Sequence, residues 1–350
     1  MQNSCNELRA TIRDVAEKSG VSISTVSRVI NGHPAVSNIT LKKVNDVIKR
    51  LQYSPSRLAK SLSGSGFDAV SVVYTRSAKT MSDSLYFNII VNAIGTIAEE
   101  NDFDLLMQSS ESEEKDIEKT LRLIRDRLIK GVILLSSHTD NKFINILAKK
   151  NFPTAVIGKF EICGNDQNKN IIRVDTDNFN DSYNVGKYFI ENGHRKIACI
   201  HAELKHYVAV DRLGGFSKAL GDSNIILEDN MKANGGHTFD SAYKAALQLL
   251  CEQKDVTAVF ATDDLKALAL YQAARQLSIK IPDNLSVIGY NDYIFSKNIT
   301  PPLTTVSVPI YDMGIVASTK LFSMIKKQEI SFEDVIMPVD FKIRSSVRKI

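Results

Sequence analysis

The 350-residue chain lacks the short motifs by which many enzymes are recognised. Its Gly64 and Gly66 lie in a Ser/Gly stretch and not in a Gly-x-Gly-x-x-Gly loop after a strand. A Walker loop, a Gly-x-Ser-x-Gly elbow and a His-Glu-x-x-His pair are missing as well. No His/Cys spacing is typical of a metal site. We therefore expect no catalysis, no cofactor and no bound metal.

Cysteine is scarce, with four residues at positions 5, 163, 199 and 251 and no Cys-x-x-Cys pair. Cys199 and Cys251 lie in apolar segments, where free cysteines usually pack in a core. The first ten residues are polar, and no apolar run approaches the roughly 18–20 residues that a membrane span needs. These patterns predict a protein of a reducing cytoplasm.

The net charge of +4 is unevenly distributed. Residues 1–63 carry ten basic and four acidic side chains, whereas the remainder carries 34 basic and 36 acidic ones. A uniformly solvated surface does not predict this asymmetry. A basic first fifth joined to a near-neutral body is typical of a nucleic-acid-binding module attached to a second domain.

The first fifty residues have the pattern of three short helices. Thr11-Ile-Arg-Asp14 has the form of a capping box, and Gly20 provides a tight turn. Ser22 can cap the next helix, in which Val26, Val29 and Ile30 share one face. Ser37 can cap a third helix, whose apolar stripe is formed by Leu41, Val44, Val47, Ile48 and Leu51. Two helices joined through a Gly turn predict a helix-turn-helix.

Residues 57–62 form a short potential helix, and residues 63–66 form a flexible Ser/Gly linker. An isolated helix of this length does not persist in water. We therefore expect it to be ordered only by a binding partner, with Leu58 and Leu62 on one face.

These motifs resemble the headpiece of the lactose-repressor (LacI/GalR) family of transcriptional regulators. The matching segments are Thr11-Ile-Arg-Asp-Val-Ala, Gly20-Val-Ser, Thr25-Val-Ser-Arg-Val-Ile-Asn-Gly32, Val36-Ser37, Tyr53-Ser-Pro55 and Leu58-Ala-Lys-Ser-Leu62. The resemblance implies that the second helix reads the major groove and that paired linker helices fold on DNA. Ile23, Ser24 and Arg28 would contact bases, Leu62 would wedge into the minor groove, and Ala59 would lie beside it. The expected phosphate contacts are Thr11, Ser22, Thr25, Ser27, Asn31 and Tyr53.

From Asp68 onward, short apolar segments alternate with helix-length segments, which predicts parallel sheets with helices on both faces. The predicted strands are 69–74, 104–107, 131–135, 154–157, 197–201, 256–261 and 285–289. The fold class is therefore a small all-α headpiece joined to an α/β body. The resemblance implies two doubly wound lobes of the periplasmic-binding-protein type. The predicted divisions are 1–10 (extension), 11–56 (DNA-binding domain), 57–66 (hinge and linker) and 67–350 (effector-binding and dimerisation domain). The predicted lobes are about 67–160 plus 292–308, and about 161–291 plus 309–350.

Ligands of open parallel sheets bind at the carboxyl ends of strands, where this chain places acidic, amide, cationic and aromatic side chains. Such groups suit a polyhydroxyl ligand. Arg212-Leu-Gly-Gly-Phe216 resembles a family motif whose arginine contacts the effector, and Asp263-Asp264 and Asn291-Asp292 resemble two others. Asp264 is expected to cap its helix. The predicted effector contacts are Tyr74, Phe87, Ser136, Lys159, Arg212, Asp263 and Asn291.

Taken together, these features predict a homodimeric repressor that binds a pseudo-palindromic operator in double-stranded DNA and responds to a small effector. A sugar is favoured, and maltose or maltodextrin is the specific candidate, because Val156-Ile-Gly-Lys159 and Thr262-Asp-Asp-Leu265 resemble regulators of those genes. The alternatives are a purine corepressor or a sugar-acting enzyme with a DNA-binding head. No heptad repeat follows Ile343, so a coiled-coil tetramer is not expected.

Overall fold

A computed structural model describes residues 10–30, 33–53, 67–74, 84–110, 112–135, 138–161, 170–327 and 332–350. The chain divides into two compact units, residues 1–67 and 68–350. We call them the headpiece and the body. Among the described residues, no helix is long and apolar enough to cross a membrane.

The described part of the headpiece, residues 10–30, 33–53 and 67, contains three helices, α1 (Ile12–Ser19), α2 (Ile23–Ile30) and α3 (Asn38–Arg50). Thr11 and Asp14 form the expected capping box at the start of α1. Gly20 ends that helix in the left-handed conformation, at a φ of 61°, which glycine adopts without steric cost. The predicted helix-turn-helix is confirmed.

The headpiece has one small core, formed where the three helices meet. Its buried members are Val15, Ala16, Val26, Val29, Val44, Val47 and Tyr53. Leu41, expected on the apolar stripe of α3, is instead 37% exposed, because it lies on the first turn at the edge of this core. So few buried side chains indicate a unit of limited stability.

The body contains two six-stranded sheets. The first has the order β11-β5-β4-β3-β1-β2, and every pairing in it is parallel. Its strands are β1 (Ala69–Tyr74), β2 (Asp104–Ser109), β3 (Gly131–Leu135), β4 (Thr154–Ile157), β5 (Ile171–Thr176) and β11 (Phe332–Met337). The helices between or after these strands are α4 (Leu85–Glu100), α5 (Glu113–Arg125), α6 (Lys142–Lys149) and α11 (Ile310–Lys327).

The second sheet has the order β12-β10-β9-β8-β6-β7 and is parallel except for its edge strand β12. Its strands are β6 (Ile197–His201), β7 (Lys232–Asn234), β8 (Ala258–Ala261), β9 (Ser286–Tyr290), β10 (Thr304–Ser307) and β12 (Asp340–Lys342). Its helices are α7 (Asn178–Glu191), α8 (Tyr207–Asp222), α9 (Phe239–Glu252) and α10 (Asp264–Gln276), with a 3-10 turn at Asp229–Met231. Two lobes of alternating strands and helices confirm the predicted fold class.

The predicted lobe boundaries were wrong in three places. β5 pairs with β4 and belongs to the first sheet, not to the second lobe. β10 pairs with β9 and belongs to the second sheet, although 292–308 was assigned to the first lobe. α11 and β11 return to the first lobe, where β11 pairs with β5. The alternation of elements locates strands, but sheet membership depends on hydrogen bonds that the pattern does not contain.

The expected burial of both cysteines was half right. Cys199 is fully buried in β6, whereas Cys251 is exposed near the end of α9. Leu249 and Leu250 face the core there, and Cys251 is the next position around the helix, so it points away.

Candidate functional sites

The polar face of α2 is exposed and opposite its buried residues. Val26 and Val29 pack in the headpiece core, whereas Ile23 is 45% exposed and Ser24 and Arg28 are also exposed. The expected DNA-reading side chains therefore lie together on an accessible helical face. Their contact with bases stays a prediction.

Hydroxyl groups at the start of α2 are already linked to one another. The Ser22 hydroxyl accepts a hydrogen bond from the Thr25 backbone N–H at 3.1 Å, as an N-cap does. Ser22 Oγ also lies 2.7 Å from Ser24 Oγ and 2.8 Å from Thr25 Oγ1. A phosphate contact at these positions would add to a network that fixes the first turn of the helix.

Tyr53 is the least exposed of the described residues that are predicted to contact phosphates. It is 9% exposed and packs in the headpiece core, and burial raises the pKa of its hydroxyl. Thr11 is exposed, and its hydroxyl serves the capping box. Asn31, Ala59 and Leu62 lie outside the described residues.

The body contains a cavity of about 210 Å³ between its two lobes. Strand ends of both sheets contribute to its wall, including Tyr74 at the end of β1, Asp175 in β5 and Thr262 after β8. The carboxyl ends of parallel strands are where open α/β sheets bind ligands. Four further predicted contacts line the same cavity: Lys159, Arg212, Asp263 and Asn291.

Arg212 is the most extensively held side chain of the cavity. From α8 its Nε donates to Asn178 Oδ1 at 2.8 Å, and its Nη1 donates to the Thr262 carbonyl at 2.7 Å. Its Nη2 lies 3.5 Å from Asn291 Oδ1, and the guanidinium lies 3.6 Å from the centre of the Tyr290 ring. Hydrogen bonds and a cation–π contact therefore fix its planar fork towards the cavity.

Asp263 and Asn291 join the ends of β8 and β9. Asn291 Nδ2 donates to Asp263 Oδ2 at 2.8 Å, and the Tyr293 hydroxyl donates to the same oxygen at 3.2 Å. Asn291 has a φ of 106°, a strained value for a residue with a side chain. Backbone strain of this kind is commonly found at ligand-binding sites.

The expected helix-capping role of Asp264 was wrong, and Asp263 is the N-cap of α10. Asp263 Oδ1 accepts from the Leu265 N–H at 2.8 Å. Asp264 is fully buried and accepts from Thr305 Oγ1 at 2.7 Å, Ser296 Oγ at 2.7 Å and the Tyr293 N–H at 2.9 Å. Burial raises the pKa of its carboxyl to about 7. Asp264 thus fastens the loop after β9 and strand β10 to α10.

Lys159 connects the lobes at the edge of the cavity. It follows β4 in the first lobe, and its Nζ lies 3.0 Å and 3.1 Å from the two carboxylate oxygens of Asp211 on α8. Nearby, Asn141 Nδ2 donates to the Tyr207 hydroxyl at 2.9 Å, and the His138 and His206 rings lie 4.5 Å apart. These contacts join polar side chains of the first lobe to polar side chains of the second.

Phe87 is the one described residue of the predicted effector set that does not line the cavity. It is 5% exposed and stacks behind Tyr74, with ring centres 5.3 Å apart. Tyr86, its neighbour on α4, lines the cavity instead, because α4 presents successive residues about 100° apart. Ser136 lies outside the described residues.

Four residues that were not among the predicted effector contacts also line the cavity: Tyr86, Asp175, Lys266 and Tyr293. Asp175 accepts hydrogen bonds at Oδ1 from the Thr176 N–H and from Asn178 Nδ2. Burial raises the pKa of this carboxyl to about 6, although these bonds and Arg212 oppose the rise. Its place at the end of β5 was a usable signal, but that strand was not recognised.

Within the described part of the chain, no cluster of three His, Cys, Asp or Glu residues could hold a metal ion.

Comparisons with known proteins agree with both halves of this description. Residues 11–56 match the model of the bacterial regulatory proteins of the lacI family, and residues 187–347 match that of the periplasmic binding protein-like domain. The HTH-type transcriptional repressor PurR of Histophilus somni (strain 2336) is 30% identical over 342 residues, covering 97% of this chain and 99% of that protein.

Two solved structures show the same architecture. The lac repressor dimer bound to operator and the anti-inducer ONPF superimposes with a TM-score of 0.82 at 26% identity, covering 97% of this chain and 99% of that one. The complex of the transcriptional regulator CelR with cellobiose has a TM-score of 0.72 at 28% identity, covering 97% and 100%. The protein combines a helix-turn-helix headpiece with a two-lobed ligand-binding body. It belongs to the lacI family of bacterial regulatory proteins, and it is a DNA-binding transcriptional repressor under small-molecule control.

Proposed function

We propose that this repressor acts as a homodimer on a pseudo-palindromic operator and that a small sugar-like effector in the cavity sets its operator affinity. The observation that carries the proposal is the pairing, in one chain, of an exposed α2 face with a cavity that holds Arg212, Asp263 and Asn291. Closure of the lobes on a ligand would change the separation of the two headpieces. Operator and effector affinities would then be thermodynamically coupled.

The cavity chemistry favours a hydroxyl-rich ligand. Amide, carboxylate and guanidinium groups around one cavity can each bind paired hydroxyls, and the rings of Tyr74 and Tyr86 offer faces for sugar C–H groups. A volume of about 210 Å³ lies below the roughly 300–1,000 Å³ of drug-sized pockets, which favours a ligand of about one ring. The solved CelR complex contains a sugar, cellobiose. Maltose, the specific sugar that the sequence motifs favour, has two rings and fits this volume less well than a monosaccharide does.

A purine is the second candidate effector, because the Histophilus relative with full-length similarity is named as the repressor PurR. A flat base would stack on the aromatic rings of Tyr74 and Tyr86, and its edge N–H groups and acceptor atoms would bind the same carboxylate, amide and guanidinium groups. A thermal-shift screen of sugars and purines separates the two classes, since a bound ligand stabilises the native state in proportion to ln(1 + [L]/Kd).

The DNA-binding half is tested by selecting binding sites from random DNA. We expect two inverted half-sites about 34 Å apart, since a dimer places its reading helices one helical turn apart. Leu62→Ala should weaken binding to the selected site far more than to random DNA, because an apolar wedge acts only on a bent site. Equal weakening on both DNAs would remove Leu62 from the proposed role.

A further inference from the structure

Arg212 lies on the ring of Tyr290, a residue that does not itself line the cavity. Tyr290 is the last residue of β9 and is fully buried, and the centre of its ring lies 3.6 Å from the Arg212 guanidinium carbon. A guanidinium on an aromatic face is attracted by the ring and stacks against it. The position of the Tyr290 ring therefore influences the plane in which Arg212 meets a ligand.

Arg212 needs this support because its own hydrogen bonds fix only part of its planar group. The bonds from Nε to Asn178 and from Nη1 to the Thr262 carbonyl are short, at 2.8 Å and 2.7 Å. Nη2 is held only by a contact of 3.5 Å with Asn291 Oδ1. A planar group fixed at two atoms can still turn about the line that joins them, which would move Nη2. The ring face of Tyr290 opposes this rotation.

The Tyr290 ring is in turn held at its hydroxyl end by an acid from another element. The hydroxyl donates to Asp181 Oδ2 at 3.3 Å, and Asp181 lies in the first turn of α7. Asp181 is half-buried and does not line the cavity. A line of contacts therefore leads from Asp181 through Tyr290 to the arginine of the cavity wall.

The charges near Asp181 are consistent with this arrangement. Burial raises the pKa of its carboxyl to about 6, although the hydrogen bond from Tyr290 and the charge of Arg212 oppose the rise. The negative charge of Asp177, at the start of the same helix, adds to it. The carboxyl is therefore mostly ionised at pH 7, and its hydrogen bond from Tyr290 is charge-assisted.

We infer that Asp181 is a positioning residue of the effector site, which holds the Tyr290 ring and thereby keeps the Arg212 guanidinium in its binding orientation. The inference rests on the proposed function, because it takes the cavity as the effector site. Asp181 itself would touch no ligand. An aspartate that only satisfied a buried tyrosine hydroxyl would contribute to the stability of the body and leave Arg212 unchanged.

The first test observes Arg212 without any effector. In 1H–15N spectra of the deuterated full-length protein, the Arg212 Nε–H signal is assigned by its loss in Arg212→Lys. Asp181→Ala should shift this signal and speed its exchange with water, because the guanidinium becomes free to turn. Asp181→Asn keeps an acceptor for the Tyr290 hydroxyl, so it should restore the signal to near its wild-type position.

The second test measures binding by calorimetric titration, with D-glucose, maltose, cellobiose and hypoxanthine as the probes. For a probe that binds the wild-type protein, Asp181→Ala and Tyr290→Phe should each weaken binding about fivefold, the size of a typical cation–π contribution. The double variant should bind no more weakly than either single variant, because both changes break the same line of contacts. Asp181→Asn should retain most of the affinity.

The matched control is Asn184→Ala, at an exposed position three residues further along α7. This variant should change neither the Arg212 signal nor the affinity. An Arg212 signal that is unchanged in Asp181→Ala, or losses of affinity that add in the double variant, would overturn the inference. If none of the four probes binds, the Arg212 signal decides alone. A probe that binds without changing operator affinity would count against the proposed function and not against the role of Asp181.

Discussion

The headpiece and the body hold their functional residues in opposite ways. In the described part of the headpiece, a core of seven buried side chains leaves the predicted DNA-reading residues of α2 exposed. In the body, two of the predicted effector residues, Arg212 and Asn291, are themselves buried and hydrogen-bonded. The first arrangement suits a surface that meets a large partner. The second suits a small ligand that must be enclosed and told apart from similar molecules.

This difference should also appear in stability. Both units fold around apolar cores, but the headpiece core is much smaller than the clusters beneath the two sheets of the body. Small cores give only a few kcal/mol of net stability, whereas larger domains bury a greater fraction of their surface. Changes of equal local cost should therefore unfold the headpiece well before the body.

The largest expected effect comes from a charge placed in the headpiece core. Val26 is fully buried between the helices, so Val26→Asp would leave a carboxylate without a partner. A cost of about 3–5 kcal/mol approaches the whole stability of a unit this small. Specific operator binding should be lost, while calorimetry shows the thermal transition of the body unchanged. A fall in the Tm of the body in this variant would contradict independent unfolding of the two units.

The second prediction concerns effector binding alone. Arg212→Ala removes three hydrogen bonds and a cation–π contact from the cavity wall. Loss of a buried, hydrogen-bonded charge typically costs about 2–5 kcal/mol, so effector affinity should fall at least thirtyfold in isothermal titration. Operator affinity without effector should stay within about a factor of two. The control is Arg195→Ala, at an exposed arginine of the same lobe. An equal loss of effector affinity in that variant would contradict the proposed role of Arg212.

The third prediction is a pH dependence of the body. Asp175 has a folded-state pKa of about 6 against 3.8 for the free group, because burial penalises its charged form. Its penalty is absent below about pH 4, develops as the pH rises to about 6 and then stays constant; two pKa units correspond to about 3 kcal/mol. Asp175→Asn should therefore stabilise the ligand-free body at pH 7 and have little effect at pH 4. Denaturant titrations at both pH values measure the difference, and a gain larger at pH 4 would show the opposite sign.

The smallest effect is a matched pair of helix caps. Ser37 caps α3 of the headpiece and Thr238 caps α9 of the body, each accepting from a backbone N–H. Replacing either by Ala should cost about 1 kcal/mol. Ser37→Ala should lower the Tm of its smaller unit by about 4–8 °C, and Thr238→Ala should lower that of the body by about 2–4 °C. Equal shifts in calorimetry would mean that the two units unfold in one common transition and not as separate units.

Local sequence patterns were sufficient to predict most of the described secondary structure of the headpiece. The capping box of Thr11, the turn at Gly20 and the cap at Ser37 depend on side chains within four residues of their partners, so they can be read directly. In the body, the strands β1, β3, β4 and β6 were placed correctly because each is a short, apolar run. Sheet order was not accessible, since strand pairing joins residues as far apart as Val174 and Val335.

The cavity was predictable in part for the same reason. Arg212, Asp263 and Asn291 follow strands or open helices in recognisable motifs. Residues Asp175–Asn178 resemble a further motif of the family, but that motif did not assign Asp175 to the cavity. The positions of Asp175 and Lys266 on the wall follow from the three-dimensional packing of β5 and α10. Whether Tyr86 or Phe87 lines the cavity depends on the rotation of α4 about its own axis. The sequence pattern does not specify that rotation.

We propose that a ligand in the cavity controls operator binding by the headpiece. The most direct test is the Kd of the selected operator, measured by fluorescence anisotropy while the stabilising ligand of the screen is titrated into the full-length protein. We expect operator affinity to change about 5–150-fold at saturating ligand, and not to change in Arg212→Ala. An unchanged Kd in the wild-type protein, with ligand bound, would contradict it.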